Sequence, residues 1–251
     1  MLESPANSLW SGVMAQADIP SRERLIFALD VPDAAAARDL AGRLGDHVHF
    51  YKLGLELMMA GGYFELLDWL AARNKRIFVD LKFFDVPATV GRAVARLRDR
   101  GVTFCTVHGN QSMMEAAAAA KGDVKVLAVT ALTSLDRGDL NDLGFSCDIE
   151  ELVLSRARRA FEAGCDGVVS SGLEVGRLRE HVDNRLLVVT PGIRPVDNDR
   201  ADDQKRVVTP TKAFETGADY IVVGRPIRDA ADPAAAAAAI QKEIASVFPA
   251  S

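Results

Sequence analysis

The sequence predicts an α/β protein, a single-domain (β/α)8 TIM barrel, and three observations carry that expectation. Short runs of β-formers alternate without a break with helix-forming stretches from Arg24 to Val247. Unbroken alternation implies a parallel sheet, and eight such units in one chain of this length imply that the sheet closes on itself. The turn after the first strand, Asp30-Val31-Pro32-Asp33, contains no glycine. A doubly wound sheet usually carries a Gly-rich turn there, so the barrel is preferred.

Taken in order, Leu25–Asp30 reads as a strand and Asp33–Leu44 as a helix. Val48–Gly54 is the second strand, followed by a helix over Tyr63–Arg73. Ile77–Lys82 is the third strand because Ile77, Phe78 and Val79 form an apolar run too brief for a helix. It leads into a helix over Pro87–Arg100, where the fixed φ and missing N–H of Pro87 suit a first turn. Val102–His108 and Ser112–Ala120 make the fourth pair, Val124–Leu132 and Ile149–Ala163 the fifth. Gly167–Ser171 pairs with Glu174–His181, Leu186–Pro191 with Pro210–Thr216, and Tyr220–Gly224 with Pro233–Val247. The alanine runs Ala116–Ala120 and Ala234–Ala239 are helix formers.

Composition narrows the function classes. The chain has 251 residues, 49% apolar and 26% charged, which suits an ordinary globular protein with ample core. A net charge of -5 excludes the basic footprint of a nucleic-acid or anionic-membrane binder. No stretch approaches the length of a membrane span. Cys105, Cys147 and Cys165 are odd in number and scattered, which reads as reduced cytoplasmic thiols and as neither a disulfide framework nor a zinc site. Residues 1–20 hold no Lys or Arg and no sustained apolar run, against a signal peptide. The expected organisation is a loose extension over residues 1–21, with Met14 a second candidate start, ahead of a barrel over residues 22–251.

The chain is organised around Arg76–Val90, RIFVDLKFFDVPATV. Strand alternation puts Phe78, Asp80 and Lys82 on one face and Ile77, Val79 and Leu81 on the other. Charges on the inward face of an apolar strand carry a desolvation cost that a structural element would avoid. A barrel places function at the carboxyl ends of its strands. The residues there are Asp30, Lys52, Asp80 with Lys82, His108, Thr130 with Thr133, Ser170 with Ser171, Thr190, and Gly224 with Arg225. One such residue is unremarkable, but a ring of them marks a site. The Gly224-Arg225 end suits phosphate, because glycine permits close backbone approach and arginine offers a fork of donors. The long polar loop Arg194–Arg206 reads as a lid over a phosphorylated small molecule.

Several motifs together carry a family resemblance: Asp80–Val90 (DLKFFDVPATV), ALD at Ala28–Asp30, YKLG at Tyr51–Gly54 and LTS at Leu132–Ser134. TPGIRP at Thr190–Pro195, DDQKR at Asp202–Arg206 and VVGRPI at Val222–Ile227 complete the set. In this order and at these strand ends, they resemble the orotidine 5'-phosphate decarboxylase family from about Arg24 to Val247. Departures are Phe84 where many members have His, Ala88 where Asn or Thr is common, and the absence of paired glycines after His108.

The resemblance implies decarboxylation of orotidine 5'-monophosphate to uridine 5'-monophosphate, the last step of de novo pyrimidine nucleotide synthesis, by a carboxy-lyase with no metal and no organic cofactor. It implies Lys82 as the ammonium that meets the carbanion and delivers a proton. Asp80 lies near the substrate carboxylate, and Lys52 and Asp85 complete the charged array. Asp30 and Lys52 face the ribose hydroxyls, Thr133 the pyrimidine, and Gln204 reaches from the lid. Arg225, the Gly224 amide and Arg194 hold the phosphate. Asp85 and Thr89 serve the neighbouring subunit's pocket, so the expected assembly is a cytoplasmic homodimer with shared active sites, binding neither nucleic acid nor membrane. Two other classes stay open. A metal-dependent sugar-phosphate decarboxylase of the same barrel suprafamily shares DxKxxD but needs a further acidic ligand; Glu56 is the nearest, and its neighbours Leu55 and Leu57 read as loop packing. A non-catalytic phosphate-ligand binder needs the gripping end of the ring but not Lys52, Asp80 and Lys82.

Overall fold

A computed structural model describes residues 19–195 and 207–249. Eight parallel strands close into a barrel: β1 (Leu25–Ala28), β2 (Phe50–Leu53), β3 (Arg76–Phe83), β4 (Val102–His108), β5 (Lys125–Val129), β6 (Gly167–Val169), β7 (Leu187–Thr190) and β8 (Tyr220–Val223). Each pairs with its neighbour in sequence, and β8 returns to β1 through Leu25↔Ile221, Ile26↔Val222 and Phe27↔Val223. The main helices run between strands on the outside, at Ala34–Leu44, Tyr63–Ala71, Pro87–Ala95, Gln111–Ala120, Ile149–Glu162, Val175–His181, Pro210–Glu215 and Pro233–Val247. The expected (β/α)8 barrel is the observed fold.

Strand periodicity of two sorts the apolar residues into two layers. Ile26, Phe50, Phe78, Phe104, Leu127, Val189, Tyr220 and Val222 fill the barrel interior. The alternate residues, among them Leu25, Phe27, Tyr51, Leu53, Ile77, Val79, Cys105 and Val107, pack under the helices. The interior is an aromatic plug centred on Phe104. Its ring lies 5.0 Å from Phe50, 5.8 Å from Phe78 and 5.1 Å from Tyr220, all centroid to centroid. That plug fills the barrel interior beneath the carboxyl ends of the strands.

Helix starts follow the local chemistry. Asp33 accepts from the Ala35 and Ala36 N–H groups, Asp148 from Glu151 and Asp232 from Ala235. Each satisfies donors that the first helical turn leaves unpaired. Pro87, Pro210 and Pro233 open their helices, where a missing N–H is harmless. The feet of two strands share another device. Asp166 accepts from Lys121 at 2.7 Å and from the Val126 N–H at 2.8 Å, while Asp219 accepts from Arg179 at 2.6 Å and from the Val188 N–H at 2.7 Å. Each carboxylate thus ties its own strand to the preceding strand and its helix.

The structure departs from the expected elements in several places. Leu55–Ala60, Arg137–Asp142 and Arg225–Arg228 are short helices. Reading Leu55 and Leu57 as loop packing was half right: Leu57 is buried, but on a helix, while Leu55 is exposed. Arg137–Asp142 forms because Asp136 and Asp139 cap each other's backbone reciprocally. The helix after Pro87 stops at Ala95, short of the expected Arg100, and the following turns put Asp99 and Gly101 at positive φ. The expected loose extension over residues 1–21 is built at its end: Ser21–Glu23 forms a 3-10 turn and Ile19 packs against the interior cluster. Its first 18 residues lie outside the described ones. Among the described residues, all three cysteines are free, and no helix is long and apolar enough to cross a membrane.

Because Phe104 touches three aromatic rings of the plug, Phe104→Ala is expected to cost about 3–5 kcal/mol of unfolding free energy. Urea denaturation followed by circular dichroism measures it; a loss below about 1 kcal/mol would show that the plug is not what supports the mouth.

Candidate active site

A cavity of about 480 Å³ opens at the carboxyl ends of the strands. Its floor is the top of the interior cluster, with Ala28, Phe78, Val129, Val169 and Val222. One wall carries charge, from Asp30, Lys52, Asp80 and Lys82, and a second wall holds Gly192, Ile193, Arg194, Gly224, Arg225 and Arg228. Leu132 and Thr133 close the side between them.

The charged wall is a single line of alternating sign. Lys52 Nζ lies 3.2 Å from Asp30 Oδ1 and 3.5 Å from Asp80 Oδ2, and Lys82 Nζ lies 2.9 Å from Asp80 Oδ1. The strands bring these groups together: β1 and β2 pair Ala28 with Lys52, and β2 and β3 pair Lys52 with Phe78. Accessibility assigns different roles within the line. The Asp80 and Lys52 side chains are 12% and 13% exposed, while Lys82, at 34%, is the more accessible ammonium.

Burial works against the charge on Asp80, but Lys52, Lys82 and the hydrogen bonds from Lys82 and Thr106 outweigh it, so its carboxyl titrates below the ordinary aspartate range. Burial likewise opposes the charge on Lys52, and the Asp80 and Asp30 carboxylates more than compensate, raising its pKa. Both groups are therefore held ionised at neutral pH.

Alternation along β3 puts Phe78, Asp80 and Lys82 at the cavity, as expected. The end of the strand is nevertheless irregular. Register against β4 shifts between Val79 and Phe83, and Lys82 adopts φ +47°, a left-handed conformation rare for a residue with a Cβ. Its N–H donates to Thr106 Oγ1 at 2.9 Å, and the Thr106 hydroxyl donates to Asp80 Oδ1 at 2.9 Å.

Part of the expected ring turns away from the cavity. Thr130 and Ser170 follow Val129 and Val169, which line it, and Thr190 follows Val189, which belongs to the interior cluster, so alternation sends all three toward the helices. Thr130 Oγ1 donates to the Val169 carbonyl at 3.1 Å, Ser170 Oγ to Glu174 at 3.3 Å, and Ser171 Oγ accepts from the Leu173 N–H at 3.2 Å. His108 is not among the lining residues; its ring lies 4.8 Å from that of Phe84.

Asp85 and Thr89 also lie outside the cavity of their own chain. Asp85 Oδ1 accepts from the Val86 N–H at 2.6 Å, and Thr89 Oγ1 accepts from Arg92 at 3.2 Å. Asp85 stands between Phe84 and Val86, whose side chains are mostly exposed. Arg194 reaches the cavity from an isolated bridge, Ile193↔Val208, which brings together the two ends of the long loop. Gln204 and the rest of the expected lid, residues 196–206, lie outside the described residues.

Two site neighbours escaped the sequence reading. Thr106 carried a signal, since alternation from the inward Phe104 puts it on the inner face of β4. Arg228 carried a weaker one, three residues after Arg225. Its Nη1 donates to the Asp30 carbonyl at 2.9 Å, and Nε and Nη2 grip Asp229 at 2.6 and 3.0 Å, tying the end of β1 to the segment after β8. Among the described residues, no group of three or more His, Cys, Asp or Glu side chains could hold a metal ion. Glu56 is exposed on the Leu55–Ala60 helix and does not line the cavity.

The electrostatics of the line can be tested directly. A carboxylate with a lowered folded pKa contributes stability that is complete above its unfolded pKa, near 4, and is lost as pH falls through the folded value. Lys52→Met removes the largest opponent of desolvation at Asp80, so the Asp80 carboxyl is expected to titrate at higher pH. Carboxyl carbon NMR reads this shift, and an unchanged titration would show that Lys52 does not set it.

Comparison with known proteins places this geometry. The profile described as "Orotidine 5'-phosphate decarboxylase / HUMPS family" matches residues 23–240. A protein of Methylococcus capsulatus named orotidine 5'-phosphate decarboxylase is 66% identical over 230 residues, covering 92% of this chain and 95% of that protein. One of the same name from Stenotrophomonas maltophilia is 53% identical, covering 94% and 99%. The solved structure of orotidine 5'-phosphate decarboxylase from Lactobacillus acidophilus superposes with a TM-score of 0.79 at 38% identity, over 91% of this chain and 100% of that one. With its barrel, its strand-end motifs and relatives matched along nearly their whole length, the chain belongs to the orotidine 5'-phosphate decarboxylase / HUMPS family.

Proposed function

We propose that this protein decarboxylates orotidine 5'-monophosphate to uridine 5'-monophosphate, the last step of de novo pyrimidine nucleotide synthesis, as a carboxy-lyase that needs no cofactor. The observation that carries the reading is the line Asp30–Lys52–Asp80–Lys82, with its most accessible ammonium facing a cavity whose other wall holds Arg194, Gly224 and Arg225.

The chemistry explains why such a line is useful. Breaking the bond to the leaving carbon dioxide strands an electron pair in the plane of the pyrimidine ring, where the π system cannot absorb it. An ammonium held against that carbon stabilises the developing charge and then transfers a proton to it, so substrate plus one proton gives product plus carbon dioxide. Lys82 fills that role. Asp80 lies beside the substrate carboxylate, and their repulsion disappears as carbon dioxide leaves. Two unit charges about 4 Å apart interact by roughly 4 kcal/mol at an effective dielectric near 20, so changes of this kind between ground and transition state are large enough to matter.

Binding divides along the cavity. Arg225, the Gly224 amide and Arg194 take the phosphate, Asp30 and Lys52 the ribose hydroxyls, and Thr133 the pyrimidine, with Gln204 a further substrate contact. Asp85 and Thr89 act in the pocket of a partner copy within a homodimer. Their position outside their own cavity, beside the exposed Phe84 and Val86, supports that reading. The three free thiols suit a cytoplasmic enzyme.

The decisive experiment follows the absorbance change of orotidine 5'-monophosphate in the presence of a chelator. Turnover is expected to persist, and Lys82→Ala is expected to fold normally while losing at least about tenfold in rate, or 1.4 kcal/mol of barrier. Activity that disappears with the chelator and returns with magnesium would favour the metal-dependent sugar-phosphate class instead. Sharing of the site has its own test. Lys82→Ala and Asp85→Asn subunits, each nearly inactive alone, are expected to recover activity when mixed, because a heterodimer regains one intact pocket through its reciprocal interface. Heterodimers that form without recovering activity would place Asp85 in its own chain's site.

A further inference from the structure

We infer that Thr106, on β4, is a positioning residue for turnover: its hydroxyl holds the Asp80 carboxylate and the strained Lys82 backbone in one arrangement. The inference rests on the proposed decarboxylation, in which Lys82 meets the reacting carbon.

Three hydrogen bonds form a closed circuit that begins and ends on Lys82. The Lys82 N–H donates to Thr106 Oγ1 at 2.9 Å, the Thr106 hydroxyl donates to Asp80 Oδ1 at 2.9 Å, and Lys82 Nζ donates to the same Oδ1 at 2.9 Å. The direction of each bond is set by chemistry. A backbone N–H can only donate, so Thr106 must accept there, and its one proton is left for the ionised Asp80. Thr106 is fully buried, so water cannot substitute for either bond. Its β-branch restricts χ1, which keeps the hydroxyl aimed.

The circuit also accounts for the backbone of Lys82. At φ +47° a residue with a Cβ is disfavoured, and such a conformation persists only where surrounding contacts hold it. The Thr106 acceptor supplies that hold at the main chain while Asp80 supplies it at the ammonium. Without the hydroxyl, the Lys82 N–H loses its partner, the backbone relaxes toward an extended φ, and the direction in which the side chain leaves β3 changes. A displacement of about 1 Å at a reacting group can cost on the order of a hundredfold in rate. Thr106 is not among the residues that line the cavity, so ground-state binding need not change.

Two variants separate positioning from packing. Thr106→Val keeps the shape and loses the hydroxyl; Thr106→Ser keeps the hydroxyl and loses the methyl. A positioning role predicts that Thr106→Val lowers kcat at least about tenfold, while KM and uridine 5'-monophosphate affinity stay within about threefold and Thr106→Ser keeps kcat within about threefold of wild type. A packing role predicts the reverse order. Should Thr106→Val not fold, Thr106→Ala takes its place against Thr106→Ser with the same thresholds. The inference is overturned if the variant lacking the hydroxyl keeps kcat within about threefold of an active wild type, or if Thr106→Ser falls as far as that variant. A wild-type chain that releases no carbon dioxide from orotidine 5'-monophosphate overturns the functional reading, and the inference with it.

Discussion

The Asp80 carboxylate is held almost out of water between two ammonium groups, and the rest of the site depends on that contact. Taking an ion out of water costs roughly several kcal/mol even after relaxation, and attraction repays it only when geometry is good and the remaining lone pairs are satisfied. Here Oδ1 receives Lys82 and Thr106 while Oδ2 faces Lys52. Every member of the line then constrains the next: Lys52 is fixed between Asp80 and Asp30, and the Asp30 carbonyl accepts from Arg228.

The barrel makes this arrangement possible by separating two jobs. Phe50, Phe78, Phe104 and Tyr220 fill the interior below the mouth, so the strand order and the heights of the strand ends do not rely on the charged residues above. The carboxylate ties at Asp166 and Asp219 secure the opposite ends of the strands. With the scaffold stabilised elsewhere, β3 can carry a register shift and a left-handed lysine at its tip. Strain is tolerated where the surrounding structure over-determines it, and here it coincides with the group that faces the ligand.

The cavity also has a chemical direction. Its charged wall comes from consecutive strands β1, β2 and β3, whereas the wall with Arg194, Gly224 and Arg225 comes from the segments after β7 and β8. Because β8 pairs back to β1, the two walls adjoin, and Arg228 bridges them through the Asp30 carbonyl. A ligand with an anionic group at one end and a reacting carboxylate at the other matches that layout. In the proposed reaction, energy from gripping the remote anion is used to place the reacting carbon against Lys82.

Much of this was determined by the sequence alone. Alternation of short β-forming runs with helical stretches specified the barrel, because parallel strands joined by helices have few ways to close. The period of two along RIFVDLK placed Phe78, Asp80 and Lys82 on one face, and the motifs at the strand ends identified the family. Tertiary structure decided the rest. Thr130, Ser170 and Thr190 read as site residues because they cap strands, yet each follows an inward valine and so points outward. Thr106 reads as an ordinary strand residue, and its place in the Lys82–Asp80 circuit exists only because β4 lies beside β3 with a shifted register. The Leu55–Ala60 and Arg225–Arg228 helices are too short for periodicity to announce. Which strand end faces the cavity, and which hydroxyl meets which carboxylate, depends on angles and distances between segments far apart in the chain, and local propensity carries no record of those.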